Sequence, residues 1–382
     1  MSIGTNAKRA VCFLIALAVL CLLPTGVRAQ NFTTFTEWRV PTAATQPLYI
    51  AVSGNNGAYF AEQFGGKIGF LDIRQNVITE WTLPAGSQPT RAVPQGQKVA
   101  LVEENGHVGV FDPNGSTVTE WTVPLIESFS LPLGVASQGK LMFFTDFFQG
   151  VVGMVDTSTD EVTLWRMPGG FRLPNQMVLS GPSSNLQVWV ADSVDIISML
   201  NPDTDTFTEW SVPLRPFRPV LQNLAIAPDG SVLFQDFVND FVGTLNPTAN
   251  LIREWLVPTP NSQPVNVAVL SPDIAAFVEE SGNRIGTLDL TTTPNFVNAV
   301  TPTVTTVTPI TFVVTPQITA LPKTITLVTP IVTPASRLVT DGFIEYPVPT
   351  AGSGPVGLSL NSNRAIIFTE SSAAGNSIGL LR

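Results

Sequence analysis

The sequence is poor in the residues that most often carry chemistry. Its 382 residues include two cysteines, Cys12 and Cys21, and one histidine, His107. Both cysteines fall in a stretch that reads Lys8-Arg9, then an apolar run from Ala10 to Leu23, then Val27-Arg28-Ala29. That is the order of a secretory signal, with cleavage expected after Ala29. An uncleaved anchor is the alternative, but 14 apolar residues fall short of the roughly 20 that a spanning helix needs. No later run is long and apolar enough to span. The mature chain is then free of thiols, which excludes disulfides, thiolate metal centres and a cysteine nucleophile. With His107 as its single imidazole and no glycine-rich loop opening a helix, it also lacks the parts of a hydrolytic triad or a phosphate cradle. Charge is scarce as well, at 13% of residues, and without the signal 16 basic residues face 29 acidic ones. That sign argues against nucleic acid and anionic membrane surfaces as partners. The expected location is secreted or periplasmic.

What the chain has in quantity is a repeat. Phe35-Thr36-Glu37-Trp38 ending at Pro41 returns as Ile78-Thr79-Glu80-Trp81, Val118-Thr119-Glu120-Trp121, Val162-Thr163-Leu164-Trp165, Phe207-Thr208-Glu209-Trp210, Ile252-Arg253-Glu254-Trp255 and Phe343-Ile344-Glu345-Tyr346, each followed by a proline. From Trp38 to Trp255 the spacings are 43, 40, 44, 45 and 45 residues, a period that means four strands per radially stacked unit. Between copies run a proline-containing loop and three short apolar strands separated by glycine and asparagine turns. The first copy has no inner strands before it, and the last inner set stops at Arg382 without an outer strand. The two ends therefore complete one unit. The expected fold is all-β, a seven-bladed β-propeller over 30–382 whose last blade is closed by the N-terminal strand.

One segment breaks the period. Residues 291–341, inside blade six, are rich in Thr, Val and Pro, with Lys323, Arg337 and Asp341 as their charges. The segment reads as an insertion, either an extended stalk or loop or, from its Val/Thr alternation, a β-hairpin arm docked on the body. Its expected place is the face opposite the loops between second and third strands, where it could be excised without loss of the fold.

The unit of Thr-Glu-Trp then Pro, an acid ending the second strand, then Lys-Ile-Gly or similar resembles the repeat of the virginiamycin B lyase (streptogramin lyase) family, across the mature chain except the insertion. The resemblance implies a seven-bladed propeller, a divalent metal and elimination chemistry that opens a cyclic peptide lactone. In that family the catalytic histidines follow the proline that leads into an inner strand. Here those positions hold Leu48, Thr90, Leu133, Asn175, Val220, Val265 and Val356, and none can act as a proton-abstracting base. His107 stands elsewhere, at the place in its repeat where blade one has Lys67 and blade six Arg284, and reads as a surface or loop residue.

Two sets of residues remain as candidates. Glu62, Glu103, Asp146, Asp192, Asp236, Glu279 and Glu370 end the second strands and offer oxygen ligands for a divalent cation, Mg²⁺ or Ca²⁺. Equally, each carboxylate could accept hydrogen bonds from its own loop. On the loops of blades three to five the polar pattern gives way to Phe129, Phe147, Phe148, Phe171, Phe217, Phe237 and Phe241, with Arg172, Arg215 and Arg218. Phenylalanine with arginine is an interface-like mixture. The function read from these features is a secreted binding or scaffold propeller without lyase activity, its ligand or protein partner on the loop face. The alternative is a metal-dependent lyase or lactonase acting on a cyclic ester.

Overall fold

The computed structural model describes residues 31–382. The signal sequence expected at 1–29, with both cysteines, lies outside the described residues. Among the described residues the strands form seven sheets of five, and no helix is long and apolar enough to cross a membrane. Blade one shows the plan. Its innermost strand, Pro47–Ser53, is followed outward by Gly57–Glu62, Lys67–Asp72 and Val77–Thr82, antiparallel throughout. The second strands are buried along their whole length, as in Gly57–Glu62 and Ile274–Glu279, or along all but their first residue, as in Lys98–Glu103, because each blade is covered on both faces by its neighbours. That is why they read as continuous apolar runs rather than as alternation.

The glycine of the Lys-Ile-Gly pattern has a packing reason. A phenylalanine on the second strand lies across the third strand at that position, so a Cβ on Gly153 would stand 2.0 Å from the Phe144 ring, and one on Gly69 would stand 2.1 Å from Phe60. Gly153→Ala should therefore destabilise the protein by about 1–3 kcal/mol through overpacking, read as a lower midpoint in denaturant melts.

The ring closes between the chain's two ends. Thr34–Arg39 pairs antiparallel with Ser377–Leu381, Phe35 lying opposite Leu381, and the Thr33 amide donates to the Arg382 carbonyl at 2.7 Å. Blade seven is thus three C-terminal strands and one N-terminal strand, as the phase of the repeat predicts.

The segment between blade six's third and fourth strands is neither stalk nor hairpin arm. It leaves Asp289 and runs round the outside of the ring against the blade order, adding one short strand to each blade. Phe296–Ala299 pairs with blade five, Thr303–Thr306 with four, Ile310–Val313 with three and Gln317–Ala320 with two. Lys323–Leu327 then pairs with blade one, Ile331–Pro334 with seven and Leu338–Thr340 with six, where Phe343–Pro347 resumes the blade. The expected placement on one face is corrected by this girdle.

The sequence of the segment fits the task. The strands begin about every seven residues, and Pro302, Pro309, Pro316, Pro322 and Pro330 fall at or beside the crossings, where no ladder N–H is needed. At each crossing an apolar residue enters the groove between two blades. Val300, Val307, Val314, Leu321 and Val328 pack into five successive interblade cores. Their amides donate to the carbonyls of Asn250, Asp205, Asp160, Ser116 and Asn76 at 2.7–3.0 Å. Leu321 is the most enclosed of them, 6% exposed. Leu321→Ala should cost about 2–5 kcal/mol, and excision of 292–340 should abolish the cooperative melt. An excised variant that melts like the full chain would contradict this reading of the girdle.

Candidate functional site

Each innermost strand carries a register shift just after it enters its blade, as between Pro132 and Val135 opposite Asp146 and Phe144. The same irregularity recurs in the other six. A bulge of this kind re-aims side chains, and here it turns two successive residues per blade toward the central channel. The upper ring is Leu48, Thr90, Leu133, Asn175, Gln222, Val265 and Val356. In blade five Leu221 lies opposite Asp236 just as Pro132 lies opposite Asp146, so the position expected at Val220 belongs to Gln222. Six of these residues line a mouth cavity of about 330 Å³, together with Gln46, Tyr49, Gln63, Glu104, Glu280 and Ser371.

Glu104 and Glu280 were not singled out from sequence. Each follows the carboxylate that ends a second strand, and that position, filled in turn by Gln63, Glu104, Phe147, Ser193, Phe237, Glu280 and Ser371, is the signal that would have found them. Burial raises the pKa of both, while the Gln63 amide, donating to Glu104 Oε1 at 2.5 Å, partly offsets this for Glu104. His107 is half-buried at the start of its strand, opposite Glu103 and Thr122, and does not line the mouth.

The seven carboxylates that end the second strands are all fully buried, and they divide by length. The three aspartates turn back to their own loops. Asp146 accepts from the Leu131 and Gln149 amides at 3.0 and 3.2 Å and from Gln149 Nε2 at 2.9 Å. Asp236 accepts the Val220, Val238 and Asn239 amides, and Asn239 Nδ2 at 2.6 Å. Asp192 accepts the Leu173 and Val194 amides and pairs with Arg172 at 3.0 Å.

The four glutamates are one methylene longer and reach the glutamate of the Trp motif on the fourth strand instead. Burial first, and the neighbouring Glu80 next, push Glu62 up to about 8. Burial and Glu345 push Glu279 up to about 9. Glu103 beside Glu120 and Glu370 beside Glu37 are raised for the same two reasons. Thr45 and Lys67 near Glu62, Ser87 and Asn105 near Glu103, Arg284 near Glu279, and Ser353 and Arg39 near Glu370 offset this only in part, and a proton shared between the paired acids relieves the rest of the repulsion. The folded state therefore holds protons that the unfolded chain releases above pH ~4.5, the ordinary glutamate value. Stability should be greatest near pH 5 and fall as pH rises through 8 to 9, with Glu62→Gln and Glu279→Gln flattening the slope. A melting temperature that climbs between pH 5 and 9 would refute the paired-acid account.

As a cation site the seven acids do not fit. They sit one per blade, each tied to its own loop or to a second acid, and among the described residues no three His, Cys, Asp or Glu side chains come together to hold a metal. At the mouth the histidine positions carry Leu, Thr, Asn, Gln and Val, and the two carboxylates there, Glu104 and Glu280, are not joined by a third such ligand among the described residues.

The arginine and phenylalanine set is split by the structure. Arg172 is buried between Asp192 and Glu209, the latter at 2.6 Å, and Arg215 pairs with Glu254 while covering the Phe296 ring at 3.9 Å. Phe241 is 5% exposed and meets Phe296 of the girdle. These three belong to the blades and not to a free surface. Phe129, Phe148, Phe171 and Phe217 are exposed on the mouth face, Phe147 and Phe237 are half-buried, and Phe148 contacts Phe129 and Phe147 at 4.5 and 5.2 Å between ring centres. Arg218 is exposed and ion-paired with Asp195. The apolar rim also extends beyond blades three to five, because Phe64 in blade one is 68% exposed.

Seven blades, a two-ring channel and a loop-rimmed mouth define a propeller of the streptogramin lyase fold. Among solved structures, a streptogramin B lyase superposes with a TM-score of 0.69 at 17% identity, covering 93% of this chain and 99% of that one. Virginiamycin B lyase from Staphylococcus aureus superposes at 0.68 with 18% identity over 91% and 98% of the two chains. A catalytically inactive variant of the same enzyme with quinupristin gives 0.68 at 19% identity over 91% of this chain and 98% of that one. No protein-family model and no curated protein sequence matches the chain.

Proposed function

We propose that this is a secreted binding propeller, related in fold to the streptogramin lyases and without their lyase activity, that takes a ligand at the channel mouth. The observation that carries this reading is the make-up of the upper ring. Leu48, Thr90, Leu133, Asn175, Gln222, Val265 and Val356 supply neither a base nor a metal ligand set, while the face around them presents Phe64, Phe129, Phe148, Phe171 and Phe217 to solvent. Exposed aromatics around a cavity of about 330 Å³ favour recognition of a partly apolar ligand through area burial and stacking. The remaining acids, Glu104 and Glu280, bear on the alternative of a lyase or lactonase. Burial raises both pKa values, and a lyase would use one of them as its base, whereas a lactonase would need in addition an activated nucleophile, which the mouth lining does not supply.

The test has two arms. Incubation with a streptogramin B antibiotic and Mg²⁺, followed by mass spectrometry, should show no ring opening above background; turnover that is lost in Glu104→Gln or Glu280→Gln would overturn the reading. Replacing Phe148, Phe171 and Phe217 together by Ser should change the melting temperature by less than about 2 °C while removing binding of the same antibiotic or of any ligand found at the mouth. A large loss of stability would place these rings in the core instead.

A further inference from the structure

Next along the channel from the mouth comes the second ring: Tyr49, Arg91, Gly134, Gln176, Asn223, Asn266 and Gly357. Arg91 is 3% exposed. Its guanidinium lies 3.2 Å from the centre of the Tyr49 ring, and its Nε donates to the Leu133 carbonyl at 3.0 Å. The chain's other enclosed arginines, Arg172 and Arg215, are each matched by buried acids. Arg91 makes no ion pair within 4.0 Å among the described residues, and its Nη2 meets no hydrogen-bonding partner. Burial lowers its pKa to about 10, which leaves it charged at neutral pH. A buried, unneutralised cation is costly unless something pairs with it.

The space beside it is a second chamber of about 340 Å³, lined by all seven blades and sharing Tyr49 with the mouth cavity. Its polar end holds more unmet groups, Gln176 Oε1 and Asn223 Oδ1, both buried without partners, and Ser137 Oγ is likewise unpartnered toward the far end of its strand. Its walls toward the opposite face are apolar, with Val93, Val135, Met177, Val178 and Leu358. One cation without a counter-charge calls for one anionic group, planar if it is to use the guanidinium fork. Unfilled amide oxygens call for a donor next to it, and the walls call for a short hydrocarbon chain.

We infer that this inner chamber is a second ligand site, independent of the mouth, which binds a small organic monocarboxylate carrying an adjacent hydroxyl and an apolar chain, its carboxylate on Arg91. The probe is 2-hydroxyoctanoate, with 2-octanol and sodium chloride as controls, measured by titration calorimetry and thermal shift on the mature protein. The acid should bind one per chain and raise the melting temperature, 2-octanol should not bind, and 150 mM chloride should leave the acid's affinity within about threefold. Arg91→Met should weaken binding at least tenfold, and the Phe148, Phe171 and Phe217 to Ser variant should bind the acid normally. Should Arg91→Met fail to fold, Ser137→Phe, which fills the chamber and keeps the charge, should abolish binding at a nearly unchanged melting temperature. Absence of saturable binding to the wild-type chain, undiminished binding in both variants, or full displacement by chloride would each overturn the assignment.

Discussion

One hydrogen-bonded junction, repeated between blades, holds the ring in shape. The indole N–H of five motif tryptophans crosses to the turn before the outer strand of the next blade: Trp38 to Asn76 at 2.9 Å, Trp121 to Asp160 at 3.1 Å, Trp165 to Asp205 at 2.7 Å, Trp210 to Asn250 at 2.9 Å and, more weakly, Trp81 to Ser116 at 3.3 Å, while Trp255 reaches the Thr292 carbonyl where the girdle begins. Those turn residues have positive φ, which Asn and Asp tolerate better than most residues. Their carbonyls then accept the girdle amides at the same crossings. A single turn residue thus ties together one blade, its neighbour and the girdle, and the tryptophan fills the apolar groove that the girdle covers. Pairing inside a blade gives a sheet. This junction is what makes seven sheets into a ring.

With the ring fixed from outside, the channel is free to vary. The bulge places two residues per blade at the axis whatever their type, so the mouth can lose histidines and the second ring can hold Arg91 beside two glycines without disturbing the blades. The buried acids show the same separation of scaffold and site. Whether a second-strand carboxylate caps its own loop or pairs with the glutamate of the Trp motif depends on one methylene. Blade three, with Asp146 and with Leu164 where others have Glu, needs no pairing at all. These carboxylates recur because they close the top of each blade.

Much of this was legible in the residues, and the remainder was hidden for physical reasons. The Thr-Glu-Trp-Pro spacing states the blade count, and the unpaired strand at Phe35 states the closure, since a propeller leaves no edge open. The girdle does not show in the sequence because its strands are three to five residues long, too short for periodicity to speak. Its recurrence of proline about every seven residues, from Pro302 to Pro330, was the signal available. Arg172, Arg215 and Phe241 were misplaced because sequence shows a loop residue's neighbours in the chain and not the acids or rings that fold over it. The inner chamber depends on which residues follow each bulge, and no pattern in the sequence marks a bulge.

The account turns on the girdle being an integral layer of every blade. Hydrogen exchange of the intact protein, resolved to single residues, tests this most directly. The amides of Val300, Val307, Val314, Leu321 and Val328 should be protected to within about tenfold of those in the outer strands they join, and all should open together with the fold. Exchange of these five at rates near those of an unstructured chain, with the blades still protected, would show that the girdle is an appendage and that the ring is held by its blades alone.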